Sequence, residues 1–167
     1  VLRSILSRVF DRCLEVFDFR EPNTTIRHFD RHGNILRTIH RHNTITNVGR
    51  AAGNGRISGQ GGYSTFVNLA LGIGTQGSPA TSTTLASEIT TNGGARGAAT
   101  ATQVTTTVTN DTTQLVKTWS FTGTFAVTEE GIFDNATSGG SMLAYQSFSA
   151  INVVSGDSLQ VTHKYQT

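Results

Sequence analysis

Leu115-Val116-Lys117-Thr118-Trp119-Ser120-Phe121-Thr122-Gly123-Thr124-Phe125-Ala126-Val127 is the clearest period-two run in the chain. Leu115, Lys117, Trp119, Phe121, Gly123, Phe125 and Val127 share one face, and Thr118, Ser120, Thr122 and Thr124 face the other way. Side chains alternate across a strand, so such a run has one buried and one polar face, as in antiparallel sandwiches. The same alternation recurs at Ser158 to Gln166, where Leu159, Val161, His163 and Tyr165 oppose Gln160, Thr162, Lys164 and Gln166. His163 is thereby placed on an inward face.

Working outward, Thr65 to Leu71 reads as a short apolar strand, Ala99 to Thr109 alternates around Val104 and Val108, and Ile132-Phe133 and Met142 to Phe148 are further strands. Thr84 to Ile89 is a single helical turn or an irregular crossing segment. Threonine makes up about one residue in six of the 167, and β-branched side chains fit a pleated surface better than a helix. The expectation for 63–167 is a mostly β body, an antiparallel β-sandwich of jelly-roll-like winding.

The amino-terminal third differs. Ten of the thirteen basic residues and four of the five histidines fall within 1–56. Against five acids they give this part a net charge of +5, while the rest, with three bases and six acids, carries −3. Leu2, Ile5, Leu6, Val9, Phe10, Cys13, Leu14 and Phe17 recur at spacings of three and four, which predicts an amphipathic helix over 1–20 with one apolar stripe. Pro22 blocks its continuation. Thr25 to Phe29 and Ile35 to His40 form a hairpin about Asp30-Arg31-His32-Gly33-Asn34, a turn rich in residues that accept positive φ.

Neither face of the second hairpin strand is purely apolar. The hairpin is therefore expected to project as a basic arm or to be sandwiched between subunits, and 21–62 is assigned to arm and glycine-rich linker. Asn47 to Ala52 allows a short helix capped by Thr46 or Asn47 and weakened by its glycines. The apolar stripe needs burial, on the chain's own body or on a partner. Candidate subunit contacts are Leu2, Ile5, Leu6, Val9, Phe10, Leu14 and Phe17 on the stripe and Arg27, Arg31, Arg37 and Arg41 on the hairpin.

Several chemistries are disfavoured. One cysteine, Cys13, cannot form an internal disulfide. No apolar run approaches the ~20 residues that cross a bilayer, and the amphipathic start is unlike a signal peptide, so neither a membrane nor classical export is expected. Gly72-Ile73-Gly74-Thr75-Gln76-Gly77 satisfies GxGxxG, but Ser78-Pro79 follows in place of a helix and Glu88 comes too early for the ribose acid; it reads as a turn. His28, His32, His40 and His42 are interspersed with arginines whose charge opposes a metal dication, so no metal or cofactor is expected. Nucleic acid is disfavoured as a partner, because Phe29 is the hairpin's one stacking aromatic and five acids dilute the field. Glu129, Glu130 and Asp134 form the body's acid cluster, read as solvated loop acids between two strands, or as partners for the basic arm of a neighbouring copy; catalysis would require a buried pair among them and His163. No enzymatic function is expected.

Phe29-Asp30-Arg31-His32-Gly33-Asn34-Ile35, His42-Asn43-Thr44-Ile45-Thr46-Asn47-Val48-Gly49, Leu69-Ala70-Leu71-Gly72-Ile73-Gly74-Thr75, Thr84 to Ile89, and Glu129 to Asp134 with Gly139-Gly140-Ser141-Met142-Leu143 together resemble, in that order, virion structural proteins of tailed bacteriophages. The resemblance spans about 26–165. It implies a particle component without a cofactor, located in the virion, in contact with its own copies and with major capsid or tail proteins. Capsid decoration is the preferred position; a tail or head-to-tail joint is the alternative. A receptor- or glycan-binding sandwich is a further reading, and would expose loop aromatics, for which Tyr63 and Tyr145 are the candidates.

Overall fold

The structure is a computed structural model and describes residues 23–166. The expected helix at 1–20 and its contact residues Leu2 to Phe17 lie outside the described residues. Among the described residues, ten strands form two five-stranded antiparallel sheets. In chain order they are β1 (Thr24–Phe29), β2 (Ile35–Arg41), β3 (Thr44–Ile45), β4 (Asn68–Gly72), β5 (Gly97–Ala98), β6 (Thr100–Val104), β7 (Thr112–Ser120), β8 (Phe125–Phe133), β9 (Met142–Val153) and β10 (Ser158–Gln166); helix α1 (Asn47–Ser58) lies between β3 and β4. One sheet has the order β2-β1-β10-β7-β6 and the other β3-β9-β8-β4-β5.

The mostly β, two-sheet sandwich is as expected. Its winding is not jelly-roll-like: β1–β2, β6–β7 and β8–β9 are hairpins that stay within one sheet. The core lies between the sheets. Ile26, Leu115, Trp119, Leu159 and Val161 come from one side, and Leu69, Leu71, Val127, Ile132, Ile151 and Val153 from the other.

The long alternation that decides the fold spans two strands. β7 ends at Ser120 and β8 begins at Phe125 in the opposite sheet. Phe121 stays buried at the corner, its amide bonded to Asp157 O at 2.9 Å. An inward side chain remains inward when the strand crosses between sheets, so the period carries through the turn.

The hairpin forms where expected, with Gly33 at φ 84° in its turn. It is not a projecting arm. β1 is an inner strand, paired with β2 on one side and β10 on the other, and β3 pairs with β9 across the sandwich. The buried polar residues of β1 are satisfied from afar: Thr24 meets His163, and His28 Nε2 lies 2.9 Å from Asp157 Oδ2. Those partners stand 139 and 129 positions away. Of the hairpin's two strands, only β2 lies at a sheet edge.

Helix α1 starts at Thr46, whose Oγ1 accepts from Gly49 N at 2.9 Å, and ends at Gly59 with φ 70°. Thr46 also donates through Oγ1 to Met142 O and through its amide to Leu143 O at 3.0 Å. A Cβ on Gly49 would stand 2.1 Å from Leu143 O, so this glycine lets the helix lie directly on the β9 backbone. No helix of the described residues is long and apolar enough to cross a membrane.

Candidate functional site

The two acids expected in a solvated loop are in mid-strand. Glu129 and Glu130 both lie in β8, and both are 0% exposed. Neighbours along a strand point to opposite faces, so they enter different environments.

Glu130 shares the inner face with Ile132, and its neighbours across the ladder are Leu71 and Gln146. His163 reaches it from β10. Nε2 donates to Glu130 Oε1 at 2.8 Å, with both side chains 0% exposed. Gln146 Nε2 donates to the other carboxylate oxygen at 2.9 Å. On the far side of the ring, Nδ1 faces Thr24 Oγ1 at 3.0 Å and Asn43 Nδ2 at 3.1 Å. Thr24 Oγ1 donates to Asn43 Oδ1 at 2.6 Å, and Asn43 Nδ2 donates to Tyr165 Oη at 2.8 Å. Burial and the nearby Glu130 charge raise the Tyr165 phenol above its ordinary range.

The result is a carboxylate-imidazole-hydroxyl row that joins β8, β10 and β1 across the core. Its order would suit nucleophile activation. However, the threonine hydroxyl is 0% exposed and committed to Asn43, so no substrate atom reaches it in this conformation. What the row does is bind: a buried carboxylate without its partners carries a large desolvation cost.

Glu129 points to the outer face of the same sheet, which the 73–91 loop covers. Its carboxylate accepts from three backbone amides, Gly74 N at 3.1 Å, Ala86 N at 3.0 Å and Ser87 N at 2.8 Å, and from Tyr145 Oη at 3.1 Å. Tyr145 in turn accepts from Gln76 N at 2.8 Å. Burial raises the Tyr145 phenol, and the adjacent Glu129 charge adds to the shift. The GxGxxG stretch is therefore a carboxylate-bound loop with no helix opening after it. A Cβ on Gly72 would lie 2.4 Å from Glu129 Oε1, and one on Gly74 would lie 2.6 Å from Ala86 Cβ.

A third keystone is Arg96. It forms a two-pronged bridge to Glu88, Nε to Oε1 at 2.9 Å and Nη2 to Oε2 at 2.6 Å, and its guanidinium carbon stands 3.6 Å from the Phe133 ring centroid. Asp134, the last of the acid cluster, accepts from Ser141 N at 2.7 Å and closes the β8–β9 turn.

The structure scatters the hairpin histidines. His28 is buried on Asp157, and His40 lies on the outer face beside Thr25 at 3.1 Å. Among the described residues no group of three or more His, Cys, Asp or Glu is placed to hold a metal. Arg27, Arg31, Arg37 and Arg41 are all exposed. Arg37 donates to Ala150 O at 2.9 Å; among the described residues none of the four forms an ion pair. Ile35 and Leu36 beside them are 58% and 57% exposed.

At the end of the sandwich under α1 lies an apolar groove of about 180 Å³, walled by Ile45, Phe66, Leu115, Leu143 and Tyr165, with Gly49 in its helical side. Composition alone did not mark it. Its walls come from both sheets, the helix and the 63–67 segment. The buried acids, by contrast, left a trace: Glu130 is in phase with Ile132, and Glu129 with Phe133.

Comparison with family models, with curated proteins and with solved structures finds no match to this chain.

Proposed function

We propose that the chain is a non-enzymatic structural subunit of a tailed-phage virion, held to neighbouring subunits by its amino-terminal stripe and the cationic β2 edge. Capsid decoration is the position that fits best, with a tail or head-to-tail joint as the alternative. The observation that carries the docking reading is the β2 edge. It offers unpaired backbone groups and the exposed side chains of Ile35, Leu36, Arg37 and Arg41, and exposed Arg27 on β1 and Arg31 in the turn lie in the same hairpin; none of the four arginines has an acid partner among the described residues. An open edge is a template for pairing with another chain. The order of sequence stretches that resembles virion proteins supplies the particle, and the opposite charges of the two parts favour head-to-tail contact between copies.

A ligand-recognition module is less well supported. It needs aromatics exposed in loops, and Tyr145 is 1% exposed. The enzyme reading would act through Glu130 and His163, which the core encloses.

Charge reversal tests the edge. In sedimentation experiments the full chain is expected to form an oligomer, and Arg27→Glu/Arg31→Glu/Arg41→Glu is expected to weaken association at least tenfold while leaving the circular dichroism of the sandwich unchanged. Unaltered assembly of the triple variant would remove the basic hairpin from the interface.

A further inference from the structure

The two long open edges among the described residues are the two ends of one sheet. The order β2-β1-β10-β7-β6 leaves β2 and β6 with one neighbour each, whereas the edges of the other sheet, β3 and β5, are two residues long. β6 reads Thr-Ala-Thr-Gln-Val, and Thr100, Ala101, Thr102 and Gln103 are exposed. It has none of the devices that keep an edge from pairing: no charge, no proline and no bulge against β7. β2 differs. It carries Arg37 and Arg41, so two β2 strands paired about a two-fold axis would bring guanidinium against guanidinium, and like charges across a ladder are unfavourable.

We propose that β2 of one copy pairs with β6 of the next, so that this sheet runs on from subunit to subunit in a head-to-tail assembly. Every pairing within the sheet is antiparallel, and five alternating strands make β2 and β6 run the same way. Copies related by rotation about an axis along the strands therefore meet with β2 parallel to β6, a heterologous contact that closes into a ring where the rotation allows.

The charges favour that direction. β2 ends on Arg41, and the carboxyl end of β6 runs into a loop held by Asp111, whose carboxylate accepts from Thr106 N and Thr107 N at 2.8 Å and from Val108 N at 2.9 Å. The Val108 amide, with those of Thr106 and Thr107, holds the Asp111 carboxyl well below the usual carboxylate range, so it is ionised at neutral pH. Parallel pairing carries Arg41 toward the Asp111 of the next copy. Antiparallel pairing would carry it toward the other end of β6, where the nearest charged residue along the chain is Arg96. This deepens the docking reading and rests on it: the occupant of the β2 edge is a second copy, and the strand it offers is β6.

Thr38 projects from the outer face of β2. Through the registers Thr38-Arg27-Gln160-Thr118, the same face carries Gln114 and Val116 of β7 and, opposite them, Thr102 and Thr100 of β6. In a Cys13→Ser background of the full chain, isotope-labelled Thr38→Cys is mixed with Thr100→Cys or with Thr102→Cys and oxidised mildly. At least one mixture should give a disulfide-linked dimer containing one chain of each kind, identified by mass, while each variant alone gives none. A dimer from Thr38→Cys alone would show β2 meeting β2 and overturn the proposal, as would the absence of any mixed dimer from chains that sedimentation shows to be assembled. In that last case the docking reading stands; a chain that stays monomeric at high concentration fails both. A second measurement avoids cysteines. Thr102→Lys puts a cation on the exposed, uncharged edge and should weaken association at least tenfold with the circular dichroism unchanged. Equal association of variant and unmodified chain would overturn the joint.

Discussion

Glu130 and His163 show how a polar pair is tolerated at the centre of a β-sandwich. Their worth is mutual: removing one partner of a buried pair leaves the other desolvated and uncompensated, a cost of about 3–5 kcal/mol, whereas replacing both with apolar groups is often near neutral. His163→Leu alone should therefore destabilise the fold by about that amount, and Glu130→Leu/His163→Leu should recover most of it in chemical denaturation. A double variant as unstable as the single would show that Thr24 and Asn43 depend on the ring as strongly as Glu130 does. The two shifted tyrosines give a pH signature. Burial raises both Tyr145 and Tyr165, so the folded state holds these protons more tightly than the unfolded chain, for which the ordinary phenol value is about 10. Stability linked to them is complete below that value and falls as pH rises past it. Alkaline denaturation followed by tyrosinate absorbance should show the folded protein losing stability above about pH 10, and Tyr145→Phe/Tyr165→Phe should flatten that loss.

The strands were largely legible in the sequence because alternation is a local property. β10 falls on the residues its pattern marks, and His163 sits inward in phase with Leu159 and Val161. What alternation leaves undetermined is the sheet to which a strand belongs, so the run from Leu115 to Val127 reads as continuous although its two halves face each other across the core. The hairpin, too, was legible as a hairpin but not as an inner element, because Asp157 and His163, which satisfy its buried polar side chains, arrive from the other end of the chain. Glu129 and Glu130 resembled a loop for a similar reason: their amide, tyrosine and histidine partners come from remote segments. At α1 the decisive contact is a single missing methyl. Gly49→Ala adds helix propensity of about 1 kcal/mol, yet its Cβ would collide with Leu143 O. Net destabilisation of about 1–3 kcal/mol is expected. The exposed Asn54→Ala on the same helix should be neutral or stabilising, and thermal melts of the pair separate packing from propensity.

For the whole molecule, closure of the core and openness of the surface belong to different parts of the chain. The interior is bound by aliphatic packing between the sheets and by polar groups whose partners lie far apart in sequence. The exterior keeps a cationic edge strand, and the chain enters beside an apolar groove. This arrangement also fixes how the amino-terminal segment must be tested. A truncation reaching residue 46 would remove β1 and β2 from one sheet and β3 from the other, so the informative cut falls at residue 22. In the proposed assembly the apolar stripe and the β2 edge together hold neighbouring subunits. Native mass measurement of the full chain beside residues 23–167 tests it most directly: the full chain should appear as a defined multiple of its 17.8 kDa mass, and the shortened chain as a folded monomer. A full chain that remains monomeric at high concentration, or a shortened one that assembles equally well, would contradict it.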